Sequence, residues 1–599
     1  MRKEIMDKNK LGRREFLAAS GGIAGLIVGS AAAVQPRTAL ASVPAFGEME
    51  RFTLDLGHRA SRSGPVASLK NGNLLWVTTE PEAPYLSKSM WSISRVVMRR
   101  STDSGKSWGD PTVLQRGTTD YSLLSHNIRQ TAAGTLLHNF VRYSGYDYET
   151  GVPEKSLSEV FIQRSTDEGK TWSKAEKMPT GERYQGDILS MEQLRDGRLI
   201  YPFCFLTNVK SQFAVSAMYS DDDGKSWKRS ASVLRTGGGG FESGASEPTV
   251  VELPDGRLWM LIRAQTGFLW ESFSSDRGAT WSPAAESVLP SSNAPATAVR
   301  LRSGEIAVAW NNHTHSNYAR QSLLLGLTKD GKTFQGLREL DFTDFTDDPN
   351  ASIPHVTYPY LTETKDGDLA LSYNKGNWSR HNRPTFARVS REWILSKDVT
   401  ADLKDGRTGW HTIDPGPNAA AAVERYILAE DDSLWLEVEQ LPRNKNATGI
   451  VRNIPFVSEG EVRIKAQAGK SDGYILFGNT LLSPRDPNDA CLRLRFSGDK
   501  IYFAAGQPDL QQNNRRTTEF FYVAHRIGEE KLYPGTFNPG EVLNISLQYS
   551  AASATARISV NNSERIELKT SKVFGLTFMG LLVANGGQMR IQSVRTIRS

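Results

Sequence analysis

With 599 residues, 39% of them hydrophobic and 23% charged, the chain is long enough for several domain cores, and its composition excludes disordered and collagen-like classes. The formal charge of +6 belongs mostly to the first 41 residues, whose seven Lys/Arg and three Asp/Glu carry +4 and leave +2 for the rest. Basicity is therefore poor evidence for nucleic-acid binding, and no basic stripe interleaved with aromatics appears.

Residues 1–41 start basic ("RKEIMDKNKLGRREFL"), continue small and apolar ("AASGGIAGLIVGSAAAV") and end on "ALA" at Ala41. That order is typical of an export signal, and Arg13-Arg14 followed by Glu15-Phe16-Leu17 resembles the twin-arginine type. The expectation is a cleaved signal and a periplasmic or secreted protein that is not held in a membrane. No later stretch is apolar for long enough to span a bilayer.

From about residue 50 the chain repeats itself. The turn "STDSGKSW" at 101 recurs as "STDEGKTW" at 165, "SDDDGKSW" at 220 and "SSDRGATW" at 274, with a shortened "TKDGKTF" at 328. Asp103, Asp167, Asp222 and Asp276 can accept hydrogen bonds from nearby turn amides. The glycine two residues on can take positive φ, and the tryptophan can pack as an apolar plug. An independent signal runs through "NGNLLWV" at 71, "AGTLLHNF" at 133, "DGRLIYPF" at 196, "DGRLWMLIR" at 255, "SGEIAVAW" at 303 and "DGDLALSY" at 366, each a tight turn followed by an apolar strand. Six units without an amphipathic helix predict an all-β fold, a six-bladed β-propeller over residues 50–400. After a linker at 401–420, the alternating strands of residues 421–599 ("EVRIKAQA", "CLRLRFSG", "VLNISLQY") predict a lectin-like or jelly-roll β-sandwich. Cys204 and Cys491 are too distant to indicate a disulfide framework or a thiolate metal site, and no motif requires a metal or cofactor.

The repeated turn resembles the Asp box of sialidases (neuraminidases) and related BNR-repeat propeller proteins, in which the boxes lie away from the active site. The resemblance covers the propeller alone. It implies three arginines that hold a substrate carboxylate, a task suited to the planar, permanently charged guanidinium. Arg62 precedes "SGPVASLKNGNLL", although the proline there is displaced by one residue from the family's pattern. Arg263 ends the strand in "EPTVVELPDGRLWMLIRAQTG", and Arg320 stands before the shortened box. Glu247 in "ASEPTVVEL" and Tyr358 in "HVTYPYLTETKDGDLALSYN" match the family's activating glutamate and nucleophilic tyrosine, with Tyr360 as fallback. A phenol activated by a glutamate avoids the repulsion that an anionic nucleophile would meet beside a sugar carboxylate. The implied activity is hydrolysis of a terminal acidic sugar, sialic acid or a relative, from a glycan partner.

The family's acid/base aspartate has no match. The loop "TTEPEAPYLSKSMWSISRVVMRRSTDSG" holds no aspartate before Asp103. Glu80 fits the glutamate that orients the arginines, which leaves Glu82 as the remaining local carboxylate. Either Glu82 transfers the proton, or another blade supplies it, or standard hydrolysis does not occur. Two alternatives stay open: a propeller lyase acting on uronate glycans, in which one of His126, His138, His313, His315 and His355 serves as base, and a non-catalytic protein that binds acidic glycans.

Overall fold

The computed structural model describes residues 38–39, 49–54, 61–88, 91–145, 153–187, 190–240, 242–312, 320–343, 354–377, 382–400, 403, 410, 427–430, 433–437, 448–456, 459–480, 486–515, 518–571, 575–584 and 587–598. The expected signal before residue 38, most of the expected linker, His313 and His315 lie outside them.

Six antiparallel sheets form the propeller. Blades 1 to 5 are built from consecutive strands: 62–116, 122–177, 192–229, 246–290 and 297–342. Blade 6 takes Pro354–Glu363, Leu369–Asn377 and Asn382–Val389 from one end of the ring and its outer strand, Met49–Leu54, from the other. This pairing, Phe52 opposite Phe386 among others, closes the circle and leaves no blade of three strands.

The repeated turn works locally. In the first copy Asp103 Oδ1 accepts from the Ser107 amide at 2.9 Å, and Ser101 Oγ accepts from the Gly105 amide at 2.8 Å. The same pair of bonds recurs around Asp167, Asp222 and Asp276. Each bond contributes about 1 kcal/mol net. Both Ser104 and Gly105 are left-handed, with φ of 61° and 92°. A Cβ on Gly105 would come within 2.4 Å of the Phe386 ring, so glycine is required there by space as well as by conformation. Trp108 then packs across the blade boundary, 4.9 Å from Phe386 and 5.4 Å from the fully buried Trp76 between ring centroids.

Strand direction separates these turns from the site. Innermost strands start at one end of the ring with Arg62 and Ser246, second strands return there with Arg263, and third strands run away again. The turn after a third strand therefore lies at the opposite end.

The second part is a sandwich of two antiparallel sheets. One orders Ile427–Glu430, Ser433–Glu437, Gln588–Arg598, Glu459–Ala468, Leu543–Ser550, Thr555–Val560 and Ile566–Lys569, and Asp398–Thr400 also pairs with Gln588–Arg598. The other runs from Thr448–Phe456 through Leu576–Val583, Gly473–Gly478 and Leu492–Ser497 to a long hairpin, Lys500–Arg515 and Thr518–Ile527. Alternate residues such as Ile464, Leu547, Leu494 and Leu581 fill the space between the sheets. Val451, Leu476, Phe578 and Leu582 share a further core with Trp259, Trp310 and Leu337, which joins the sandwich to blades 4 and 5 through an apolar interface. Among the described residues no helix is long and apolar enough to cross a membrane.

Candidate active site

At the end of the ring where innermost strands begin, a cavity of about 410 Å³ opens on the axis, within the range of small-molecule sites. Backbone irregularity delivers its side chains. Innermost-strand pairing breaks register between Ser63 and Val66, Ser125 and Asn127, Ser246 and Thr249, and Thr357 and Tyr360. Bulges of this kind re-aim side chains next to active sites. Glu247 (φ 43°) and Tyr358 (φ 56°) sit in two of them, in a left-handed conformation that costs a non-glycine residue about 1 kcal/mol or more. Two such residues meeting at one point is the observation that marks this cavity.

Tyr358 Oη donates to Glu247 Oε1 at 2.8 Å, and Arg263 Nη1 reaches Glu247 Oε2 at 2.6 Å and Tyr358 Oη at 3.5 Å. Arg263 Nε donates to Asn293 Oδ1 and Arg320 Nη2 to the Asn293 carbonyl, both at 2.6 Å. The Arg320 guanidinium lies 5.4 Å from the centre of the Tyr358 ring, close enough for cation–π attraction. The Val356 amide donates to the Arg320 carbonyl at 2.6 Å, which ties the arginine's backbone to blade 6. Arg62 lines the same cavity, placed by an amide network: the Ser63 N–H donates to Asn374 Oδ1, and Asn382 Nδ2 donates to the Ser61 carbonyl and to Asn374. The five residues Arg62, Glu247, Arg263, Arg320 and Tyr358 thus meet in one cavity, from blades 1, 4, 5 and 6.

Burial and the neighbouring Glu247 push the Tyr358 phenol well above its ordinary range, against the opposing pull of Arg263 and Arg320. It is a neutral hydroxyl at rest, hydrogen-bonded to the group that would take its proton. Burial opposes the charge of Arg263, but Glu247 and Tyr358 beside it hold the guanidinium above its usual value. Tyr360 also lines the cavity, with its phenol raised by burial. It lies past the bulge and paired opposite Ser372.

Glu80 and Glu82 do not join the cluster. Thr79 pairs opposite Arg62 and lines the cavity, so alternation turns Glu80 to the other face of the strand, where it binds Arg99 at 2.7 Å and Arg95 at 3.2 Å. Glu82, expected as the acid/base, pairs with Arg116 and lies 3.9 Å from Arg95. What the loop brings to the cavity is Trp91, 38% exposed and 6.2 Å from the Tyr143 ring.

Three contributors escaped the sequence reading. Asn293 bridges two of the arginines. Asp187, just before the third innermost strand, accepts from Tyr143 Oη at 2.8 Å and lies 3.3 Å from His126 Nε2. Burial works against its ionisation, but the His126 hydrogen bond and charge, the Tyr143 hydroxyl and Arg62 outweigh it and hold the carboxyl below its usual range. Glu242 lines the cavity too. None of the three lies in a repeated motif, so no local signal marked them.

The described histidines have structural surroundings. His138 lies between Ser125 Oγ and Gln163 Nε2 at 3.1 and 3.0 Å, His355 bonds Asn382 at 3.1 Å, and His126 is fully buried behind Asp187. Cys204 reaches the cavity as a thiol that burial raises to about 12, and Cys491 is free in the sandwich. Among the described residues no group of three or more His, Cys, Asp or Glu could hold a metal ion.

Comparison with known proteins agrees with this architecture. A family model described as a BNR repeat-like domain matches residues 146–371. A sialidase of Micromonospora viridifaciens is 27% identical over 428 residues, 64% of this chain and 60% of the relative. An anhydrosialidase of Macrobdella decora is 26% identical over 290 residues (44% and 35%), and a sialidase of Bacteroides fragilis (strain YCH46) 28% over 211 residues (31% and 37%). The chain thus spans 60% or less of the length of these relatives. In its six-bladed ring, its BNR-repeat match and these relatives, the chain is similar to the sialidases and related BNR-repeat propeller proteins.

Proposed function

We propose that the protein is an exported glycoside hydrolase that releases a terminal acidic sugar, sialic acid or a close relative, from a glycan with retention of configuration. The observation that carries this reading is the Tyr358–Glu247–Arg263 triangle facing a cavity that Arg62 and Arg320 also line. Arg62, Arg263 and Arg320 would grip the sugar's carboxylate and orient its anomeric carbon over Tyr358. As Tyr358 Oη attacks that carbon, its proton passes to Glu247 Oε1 across 2.8 Å, so the oxygen becomes anionic only as the new bond forms. Arg263 and the cation above the ring would stabilise the same developing charge.

Of the histidines named for the lyase alternative, the three described, His126, His138 and His355, do not line the cavity. The test is to incubate the purified mature protein with a fluorogenic sialoside and with uronate polysaccharides, following fluorophore release and near-ultraviolet absorbance. Fluorophore release is expected. A rise in absorbance would replace the reading by elimination, and binding without product by a non-catalytic role.

A further inference from the structure

The reaction proposed above needs a proton for the leaving oxygen, and the loop expected to carry the donor delivers Trp91 instead. Three carboxyls among the described residues line the cavity: Asp187, Glu242 and Glu247. Glu247 is committed to Tyr358 and Arg263, and Asp187 to Tyr143 and His126. The Glu242 carboxyl has neither a side-chain hydrogen bond nor an ion pair among the described residues.

Its backbone, in contrast, is held from three sides. Glu242 stands at φ 53°, left-handed like Glu247 and Tyr358. Its amide donates to Ser211 Oγ and its carbonyl accepts from Gln265 Nε2, both at 2.9 Å. Ser243–Gly244 pairs with Gln212–Phe213 of blade 3, and Gly239–Gly240 pairs with Thr518–Glu519 at the end of the sandwich's long hairpin. A strained position persists only where its surroundings over-determine it, and here blade 3, blade 4 and the sandwich all do so. A rigid backbone carrying an uncommitted carboxyl into a substrate cavity is the arrangement that proton transfer requires.

Resting on the glycosidase reading, we infer that Glu242 is the general acid/base of this site. In the first step Tyr358 Oη bonds to the anomeric carbon, the glycosidic C–O bond breaks, and the Glu242 proton goes to the departing oxygen, which leaves as an alcohol. In the second step the Glu242 carboxylate takes a proton from water as its oxygen attacks the same carbon. The tyrosyl–sugar bond breaks, and the proton held by Glu247 returns to the phenolate. Electrostatics agree with the assignment: burial, with Glu247 and Asp187, raises the Glu242 carboxyl above its usual range despite Arg263 and Arg320, while Asp187 is held ionised. The two environments push the carboxyls apart, so the acid and the permanent anion are different residues.

The test compares wild type, Glu242→Gln and Asp187→Asn on an aryl sialoside, whose leaving group needs little protonation, and on a sialyl-lactose, whose leaving group needs it. Circular dichroism and thermal melting confirm that each variant is folded. For Glu242→Gln the sialyl-lactose rate should fall by about 10²–10⁴ while the rate of the aryl bond-breaking step changes by less than about tenfold. Its basic pH limb should vanish, and azide should restore turnover of the aryl substrate by forming a sialyl azide. Equal loss on both substrates, wild-type activity on sialyl-lactose, or this leaving-group pattern in Asp187→Asn instead would each overturn the assignment without touching the glycosidase reading. A wild-type protein that cleaves neither sialoside removes that reading and this inference with it.

Discussion

Replacing Tyr358 by Phe probes the chemistry with little structural disturbance. The substitution removes one oxygen and keeps the ring that lies under Arg320. It deletes the 2.8 Å bond to Glu247, but Glu247 keeps its 2.6 Å ion pair with Arg263, so no buried carboxylate is left alone. A hydrogen bond to a charged group contributes about 1.5–3 kcal/mol. Loss of this one is partly offset because a buried hydroxyl no longer has to be desolvated, and a stability change of about 1 kcal/mol follows. Catalytically the change is far larger: without the attacking oxygen no covalent intermediate forms, and kcat should fall at least 10³-fold, about 4 kcal/mol in barrier. KM should stay within about threefold, because the three arginines are untouched. The assay is initial-rate kinetics on a fluorogenic sialoside, with chemical denaturation in parallel. A Tyr358→Phe protein with kcat within tenfold of wild type would refute the nucleophile assignment, and Tyr360→Phe, expected to change kcat less than fivefold, is its control.

Two further outcomes are expected. Glu82→Gln should leave kcat/KM on the same sialoside within about threefold of wild type, since Glu82 engages Arg116 and Arg95 instead of the cavity; a 10²-fold loss would return the loop carboxylate to the mechanism. His138, fully buried, is held neutral with its imidazole lowered to about 3. A histidine depressed on folding stabilises fully above its unfolded value near 6.5 and loses that contribution as pH falls towards the folded value. Between pH 6.5 and 4 the loss amounts to roughly 3 kcal/mol. Denaturant unfolding of His138→Gln should therefore depend less on pH over that interval than wild type, and equal slopes would show that this imidazole is not the sensor.

Much of the propeller is legible along the chain because its units are local. The Asp103 turn closes within residues 101–108, so its hydrogen-bond chemistry is complete in the quoted letters. Arg263 and Glu247 are recognisable because both belong to one hairpin, where Ser246 pairs with Arg263. The closing strand was not legible: Met49–Leu54 finds Asn382–Val389 across more than 300 residues, and nothing in either segment names the other.

The carboxylates show the division most sharply. The family resemblance matched Glu80 to the glutamate that orients the arginines and left Glu82 as the remaining local carboxylate, yet strand alternation and two nearby arginines turn Glu80 away, and Arg116 engages Glu82. Asp187 and Glu242, with no repeated motif around them, line the cavity because innermost strands and their flanking loops converge on one axis. The Glu242 loop depends in addition on a hairpin nearly 280 residues later. The sequence by itself determined the turns, the strands, the six-fold repeat and the residue types able to hold a carboxylate and attack a sugar. Only the tertiary structure decided which acids face the substrate cavity, because proton transfer depends on distances between residues that the chain separates and ring closure brings together.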